Sequence, residues 1–297
     1  MSHNHSHSRQ KNYGKAFAIG IILNTAYVAI EAFYGLVIDS SALLADAGHN
    51  ASDVLSLILA WGAIWVAKSQ PNQRYTFGLR KATIMASMIN GMLIIGASGF
   101  ILWDAIQKIQ NPVEIPGNTV MIVAGIGLIV NTGTALMFMR DQHDLNIKGA
   151  FLHMAADAGV TLGVLIGGLV IKFTDAYWVD PLLSFLIVIV ILYSAWGLLS
   201  DSVKLAVDAV PKNIDIKEVA NFLRNSQGVE SIHDLHIWAM STTENALSVH
   251  LVIHEDTNQD LLLKQIKHKL KESFDIHHST IQIELNKIND SLTENHE

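Results

Sequence analysis

The sequence predicts an α-helical membrane protein with six transmembrane helices, followed by a small cytoplasmic α/β domain of the ferredoxin-like kind. Half of the 297 residues are hydrophobic and only 16% are charged, whereas soluble domains carry about 25% charged residues. Four long stretches contain no Asp, Glu, Lys or Arg, namely 82–103, 117–139, 158–171 and 182–200. The stretch 211–297 is soluble in character, so a membrane block precedes a soluble tail.

Six apolar segments are long enough to cross a bilayer, whose hydrocarbon core of roughly 30 Å needs ~20 helical residues. They cover about 16–38, 41–67, 82–104, 117–139, 149–172 and 178–200. The first segment exceeds the length of a signal-peptide core and no small-residue cleavage site follows it, so we interpret it as a retained span. Polar or proline-containing loops separate the segments, as in "KSQPNQRYTFGLRK" and "QKIQNPVEIPGN".

The basic residues of the short loops predict the orientation of the spans. Ten Lys and Arg residues flank the spans on one side and two, Lys108 and Lys172, lie on the other. Positive charge concentrates on the cytoplasmic side of membrane proteins. The sequence therefore predicts a multi-pass cell-membrane protein, of the bacterial inner-membrane kind, with both termini in the cytoplasm.

The tail has the element order α-β-β-α-β. Helical periodicity marks 215–227 and 258–273, and alternating apolar residues mark strands at 231–239, 246–253 and 279–285. This order predicts a three-stranded sheet with two helices on one face.

We therefore divide the chain into four parts. They are a disordered His-containing tail (1–14), a transmembrane domain (15–207), a metal-binding and dimerisation domain (208–290) and a disordered end (291–297).

Two spans carry the same pair of ionisable residues. His49 and Asp53 are four residues apart in the second span, and His153 and Asp157 repeat that spacing in the fifth. Residues four apart project from one face of a helix. Two imidazoles and two carboxylates match the ligand number and type of tetrahedral Zn²⁺. The sequence therefore predicts that these four residues bind a metal ion inside the membrane block.

A single polar residue in a span can equally serve to hydrogen-bond a neighbouring helix, and each ionisable residue there costs at least ~2.5–3.5 kcal/mol. The duplication of the pair favours a metal site. Asp46 either supports a ligand from behind or belongs to a buried polar network, and we favour the network. Asn24, Glu31 and Asn131 are expected to hold helices together.

At these residues the chain resembles the cation diffusion facilitator family of divalent-metal/proton antiporters. "SALLADAGHNASD" resembles the second-span signature of that family, and "HMAADAGVTLGVLIGGLVI" resembles the fifth span. "WVDPLLSFLIVIVILYSAWGLLSDSVKLAVDAVP" is similar to its sixth span and the connection to the tail. "GVESIHDLHIWAM" and "ALSVHLVI" are similar to its cytoplasmic domain.

The resemblance implies a homodimer with a transport site in each protomer. A His-Asp pair on each of two helices resembles the zinc-preferring branch of the family rather than the all-carboxylate manganese branch. Some members carry an Asp/His metal site between spans two and three. The corresponding loop here, "SQPNQRYTFG", has no His, Asp or Glu, so we expect no site there.

For the tail, the resemblance implies a second zinc site. Its ligands match His233, His250, His277 and Glu284, with His236 and His278 as possible substitutes. The alternative is that one or two of these are ordinary surface histidines. The resemblance also implies a salt bridge from Lys81 or Arg80 to Asp208. At the N-terminus, His3, His5 and His7 either capture metal loosely or belong to a solvated tail without a role.

The predicted function is export of Zn²⁺, and also of Cd²⁺ or Co²⁺, from the cytoplasm in exchange for protons by alternating access. Two alternatives are a membrane metal sensor and an intramembrane metalloenzyme. The sequence has no HExxH motif or serine-hydrolase elbow, and all four ligands are committed to metal, so we expect no enzyme. A net charge of −7 without a basic patch excludes nucleic acid as a partner.

Overall fold

The computed structural model describes residues 14–138 and 145–285. The predicted N-terminal tail with its three histidines lies outside these ranges, except for Gly14, and so does the predicted C-terminal end. Six long helices form the first part of the chain. They are α1 (Gly14–Val37), α2 (Ser41–Ala67), α3 (Ala82–Gln110), α4 (Gly117–Phe138), α5 (Leu145–Thr174) and α6 (Val179–Ala206).

The lengths and composition of these helices are those of a multi-pass membrane protein. Within the described ranges, α2, α3, α6 and most of α4 and α5 are long and apolar enough to cross a membrane, and α1 adds the shorter apolar stretch Ile22–Val37. This confirms the predicted class. The third helix continues beyond the predicted residue 104, because Asp104 and Lys108 pair one turn apart at 2.9 Å and the charges do not end it.

The chain divides into two compact units. The first contains the residues up to Leu57 together with Met92–Trp196, and the second contains Ile58–Gly91 and the residues from Gly197 onward. In the first unit α4 packs along α5. A Cβ atom on Gly117 would lie 2.6 Å from the backbone nitrogen of Lys172, and one on Gly168 would lie 2.9 Å from the backbone nitrogen of Met121. Glycine at these positions therefore permits the close contact of the two helices.

The start of α2 is capped by a residue from α6. The buried carboxylate of Asp180 accepts hydrogen bonds from the Ser41 nitrogen at 2.7 Å, from the Ala42 nitrogen at 3.2 Å and from the Ser40 hydroxyl at 2.5 Å. The two backbone N–H groups would otherwise be among the unpaired donors of a helix N-terminus. Nothing in the local sequence of α2 indicates this distant cap.

The second unit contains the C-terminal domain. Its elements are α7 (Ile216–Arg224), β1 (Val229–Ala239), β2 (Asn245–Ile253), α8 (Gln259–Phe274) and β3 (Ile276–Glu284). Asp215 caps α7 by accepting from the Lys217 nitrogen at 2.8 Å, and Asn258 caps α8 by accepting from the Leu261 nitrogen at 3.1 Å. The predicted element order is confirmed, although β3 begins at Ile276 rather than at 279.

The sheet has the order β1-β2-β3, with β1 and β2 antiparallel and β2 and β3 parallel. The connection through α8 supplies the crossover that parallel strands require. Both helices pack on the same face, since α7 and α8 also contact each other. Large side chains such as Leu223, Leu251 and Leu270 are fully buried between the helices and the sheet. The opposite face of the sheet carries the polar residues that matter below.

Further contacts within the second unit attach the start of α3 to the C-terminal domain. The Lys81 ammonium lies 2.7 Å from Asp208, which is the bridge that the resemblance implied. Arg80 pairs instead with Glu244 at 2.5 Å. The Thr242 nitrogen donates to the Thr83 hydroxyl at 3.1 Å. Two ion pairs and one hydrogen bond thus hold the start of α3 against the C-terminal domain.

Candidate metal centres

The first candidate centre lies between α2 and α5, in the first unit. Each helix turns its His and Asp to the same face, as the four-residue spacing requires. His49 Nε2 lies 3.3 Å from Asp157 Oδ1, and His153 Nε2 lies 3.2 Å from Asp53 Oδ2. Each pair thus joins one helix to the other. The structure brings all four predicted residues together.

The ligand atoms converge on a common point. One donor atom each from His49, Asp53 and Asp157 lies within 4.8 Å of the other two. His153 Nε2 is also 3.7 Å from Asp157 Oδ2. The two cross-helix contacts of 3.2 and 3.3 Å match the roughly 3.3–3.6 Å that separates the ligands of a tetrahedral Zn²⁺ ion bound at about 2.0–2.2 Å, so the four side chains are placed to surround one small cation.

Asp157 is the most buried member of the group. Its side chain is 1% exposed, whereas that of His153 is 44% exposed. The Oδ2 atom of Asp157 has no hydrogen-bond donor among the described residues. A buried carboxylate oxygen without a donor costs free energy unless a cation neutralises it. The cluster of four side chains is therefore accessible next to His153, and its most buried atom, Asp157 Oδ2, is a carboxylate oxygen without a donor.

A buried polar network supports the two helices behind the ligands. The Thr161 hydroxyl lies 2.9 Å from Asp46 Oδ2 and 3.0 Å from the Asp157 carbonyl oxygen. It also accepts from the Asn131 amide at 3.2 Å, which links α4 to α5. Asn50 donates to the Asp46 carbonyl oxygen at 3.1 Å. Asp46 thus belongs to a polar network, as we favoured from the sequence.

The second candidate centre lies on the sheet face opposite α7 and α8. His233 and His250 are directly paired across β1 and β2, and their rings are 4.8 Å apart. Glu284, at the end of β3, lies 3.0 Å from His233 Nε2 and 2.8 Å from His250 Nδ1. One donor atom from each of the three lies within 4.8 Å of the others. Two imidazoles and a carboxylate are suitable zinc ligands.

Hydrogen bonding keeps Glu284 ionised. Burial works to raise the pKa of its carboxyl, but the hydrogen bonds from His233 and His250 outweigh burial and hold that pKa below its usual range. The Gln282 amide donates to the same carboxylate at 3.0 Å. An ionised carboxylate between two imidazoles is the form that a metal requires.

A β-bulge in β1 adds two residues to this centre. Asp234 has a positive φ of 52°, and the strand register shifts between His233 and His236. Asp234 thereby turns its carboxylate to His236 Nε2 at 2.7 Å and towards His250 Nε2 at 3.8 Å. At 3.8 Å the contact with His250 is electrostatic rather than a hydrogen bond, and it places a negative charge beside the ring nitrogen that does not face Glu284. Sequence reasoning missed this role for Asp234.

The structure does not bring His277 to the second centre within one chain. His277 is the extra residue of a bulge at the start of β3, and its Nδ1 lies 3.5 Å from Asp275. Glu284 lies seven residues further along β3, which corresponds to about 23 Å at ~3.3 Å per residue. His278 pairs with the ring of Phe77 instead. The predicted four-residue set therefore reduces to three residues in one chain.

Two family profiles together cover most of the chain. The profile of the cation efflux transmembrane domain matches residues 17–205, and that of the cytoplasmic domain of cation efflux proteins matches residues 211–286. The boundary between the two matches falls at the end of α6, where the long helices give way to the C-terminal domain.

Several characterised proteins are similar over nearly the whole chain. A cadmium, cobalt and zinc/H(+)-K(+) antiporter from Bacillus subtilis is 35% identical over 96% of this chain and 92% of its own length. The metal cation efflux system protein CzcD of Cupriavidus metallidurans is 34% identical over 96% and 91%. The zinc transporter ZitB of Escherichia coli is 31% identical over 96% and 93%.

Among solved structures, the metal-bound C-terminal domain of the CzcD transporter is 41% identical to this chain. The match covers 24% of this chain and 100% of that domain, with a TM-score of 0.24.

Proposed function

Because the chain belongs to the cation efflux family, the cation diffusion facilitators, and is therefore a multi-pass metal transporter rather than an enzyme, we propose that it exports Zn²⁺ in exchange for protons. Relatives at more than 30% identity are named as zinc, cadmium and cobalt transporters. Cd²⁺ and Co²⁺ are further substrates in this proposal, since a mixed nitrogen and oxygen ligand set accepts several borderline divalent metals.

One observation carries the proposal: four side chains with metal-binding atoms, two from each of two spanning helices, meet beside a buried carboxylate oxygen that has no hydrogen-bond donor among the described residues. Asp157 Oδ2 has neither a hydrogen-bond donor nor a Lys or Arg partner in the described part of the chain. A divalent cation supplies the missing charge, and His49, His153 and Asp53 complete a tetrahedral set. Zn²⁺ is thus the substrate that the donor atoms fit.

The ligands also account for the coupling to protons. An imidazole binds metal only when neutral and a carboxylate only when ionised, so that protons and metal compete for the same atoms. A site facing the cytoplasm, where both chain termini lie in this proposal, loads metal and releases protons. A site facing outward takes up protons and releases metal. A rocking motion of helices around a site near the middle of the membrane alternates the two states.

In the decisive experiment, the purified protein is reconstituted into two sets of liposomes. One set contains a pH indicator and the other contains a zinc indicator. An imposed Zn²⁺ gradient should drive zinc across the membrane and protons the opposite way, and the Asp53→Ala protein should do neither. Zinc movement without proton counterflow would disprove antiport. If Zn²⁺ binding released protons from the protein in detergent but neither zinc nor protons crossed the liposome membrane, a metal sensor would be favoured.

For the C-terminal domain we propose a resident zinc ion held by His233, His250 and Glu284. Their chemistry fits, and three protein donors leave one position of a tetrahedral ion open. When bound, the ion would link all three strands of the sheet, since each strand supplies one ligand. We further propose that the protein is a homodimer and that this domain joins the two copies.

A further inference from the structure

A second polar pocket lies one helical turn from the membrane metal site, between α1, α2, α4 and α5 in the first unit. Each of its side chains is at most 2% exposed. Its members are Tyr27, Glu31, Asp46, Asn50, Asn131 and Thr161. Asp46 precedes His49 by three residues on α2, and Thr161 follows Asp157 by four on α5, so the pocket adjoins the metal site along both helices.

The pocket contains more hydrogen-bond acceptors than donors. Tyr27 donates to Glu31 Oε1 at 2.6 Å, and Thr161 lies 2.9 Å from Asp46 Oδ2. Three buried oxygens have no donor among the described residues. They are Glu31 Oε2, Asn50 Oδ1 and Asn131 Oδ1. The carboxyls of Glu31 and Asp46 lie within hydrogen-bonding range of each other, and the Asn50 amide lies within range of Glu31. Two buried carboxyls therefore face each other, and a hydrogen bond between them requires one proton.

The charges around this pair do not neutralise it. Neither Glu31 nor Asp46 forms an ion pair with a Lys or Arg in the described ranges. The ionisable groups that act on the pair are Tyr27 from α1, His49 from α2 and Asp157 from α5. From α4, the uncharged Asn131 reaches the pocket by donating to Thr161. Two buried carboxylates in contact do not both stay ionised, and one proton between them satisfies both.

From this geometry we infer a proton-binding site, separate from the metal ligands, in which Glu31 and Asp46 share one proton. The inference rests on the proposed metal/proton exchange and adds a second place where the exchanged proton is held. A divalent ion bound one turn away repels that proton, because both are positive charges in a water-poor interior. Metal binding therefore expels the proton, and metal release allows it to return.

The two sites also share a hydrogen-bonded network. The Thr161 hydroxyl lies between Asp46 Oδ2 and the backbone carbonyl oxygen of Asp157, whose side chain is the most buried metal ligand. This hydroxyl joins Asp46 on α2 to the turn of α5 that carries Asp157.

The test counts the protons that the purified full-length protein releases on binding Zn²⁺, by calorimetry in buffers of different ionisation enthalpy. Glu31→Gln mimics the protonated carboxyl, so this protein should bind the same amount of zinc and release about one proton fewer per chain. Asp46→Asn should behave likewise. The C-terminal centre contributes equally to all proteins and cancels in the comparison.

A matched control isolates the effect. Asp104→Asn makes the same carboxyl-to-amide change in the first unit outside the pocket and should release the wild-type number of protons. In wild-type protein, infrared difference spectra should lose a protonated carboxyl signal when Zn²⁺ is added, and this readout needs no variant.

Two results would overturn the inference directly. One is proton release by Glu31→Gln equal to that of the wild type, and the other is a wild-type infrared difference spectrum in which Zn²⁺ removes no protonated-carboxyl signal. Loss of membrane-site zinc binding in Glu31→Gln would make Glu31 part of the metal centre and also overturn it. Replacement of Na⁺ and K⁺ by choline should change nothing, and a change would identify a monovalent cation as the occupant. If wild-type protein releases no proton at all, the proposed antiport itself fails.

Discussion

Asp157→Asn removes one negative charge from the membrane centre while keeping the size and shape of the side chain. A four-ligand structural zinc site has a binding free energy of about 10–16 kcal/mol, so that an equal share per ligand is about 2.5–4 kcal/mol. At about 1.4 kcal/mol per tenfold change, zinc binding should weaken by about 10²–10³-fold. We place Asp157 at the upper end of this range, because its Oδ2 is buried without a donor.

The measurement is the initial rate of zinc uptake into liposomes as a function of zinc concentration. The KM of Asp157→Asn should rise by about 10³-fold, or transport should fall below detection. Asp104→Asn, a carboxyl-to-amide change elsewhere in the first unit, serves as the matched control and should transport with a near-native KM. If Asp157→Asn transported zinc with native KM and rate, the metal would bind elsewhere and the assignment of the membrane centre would be wrong.

Three further predictions concern individual ligands. His250→Ala should reduce the zinc bound per chain by one ion while zinc transport continues, and unchanged stoichiometry by metal analysis would count against the C-terminal centre. His49→Asp makes the membrane centre richer in oxygen ligands, so the preference for Zn²⁺ over Mn²⁺ should shrink in a competition assay; an active variant with unaltered preference would remove His49 from the ligands. The pKa of Glu284 is lower in the folded domain than the usual carboxyl value of 4.5, so its ionised form stabilises the metal-free fold at pH values above 4.5. This stabilisation is lost as the pH falls through the lowered pKa of the folded state. The stability of Glu284→Gln should therefore depend less on pH in acid than that of the wild type, and equal acid sensitivity of the variant and the wild type would contradict this.

Much of the fold and of the first centre follows from sequence periodicity. A charge-free run of 20 or so residues has few alternatives to a spanning helix. The four-residue repeat placed His49 beside Asp53, and the duplication on α5 implied that the two helices face each other. The structure brings these side chains together because each satisfies a charge that would otherwise be exposed to the hydrocarbon.

The remaining features depend on contacts that no local pattern encodes. The β-bulges at Asp234 and His277 change which side chains share a face of the sheet, and alternation alone predicts a regular strand there. His277 was included by resemblance, yet its position at the other end of β3 separates it from Glu284. The partners of Glu31 were equally hidden, because a polar residue in a span predicts a contact but not its identity.

The capping of α2 by Asp180 also constrains how the protein is synthesised. The acceptor that satisfies the first backbone N–H groups of α2 lies 139 residues further along the chain from Ser41. During translation, the N–H groups of Ser41 and Ala42 lack this acceptor until the beginning of α6 has been synthesised. A nascent chain truncated before residue 180 lacks the acceptor altogether. The start of the second helix therefore reaches its final hydrogen bonding only once the sixth helix is in place.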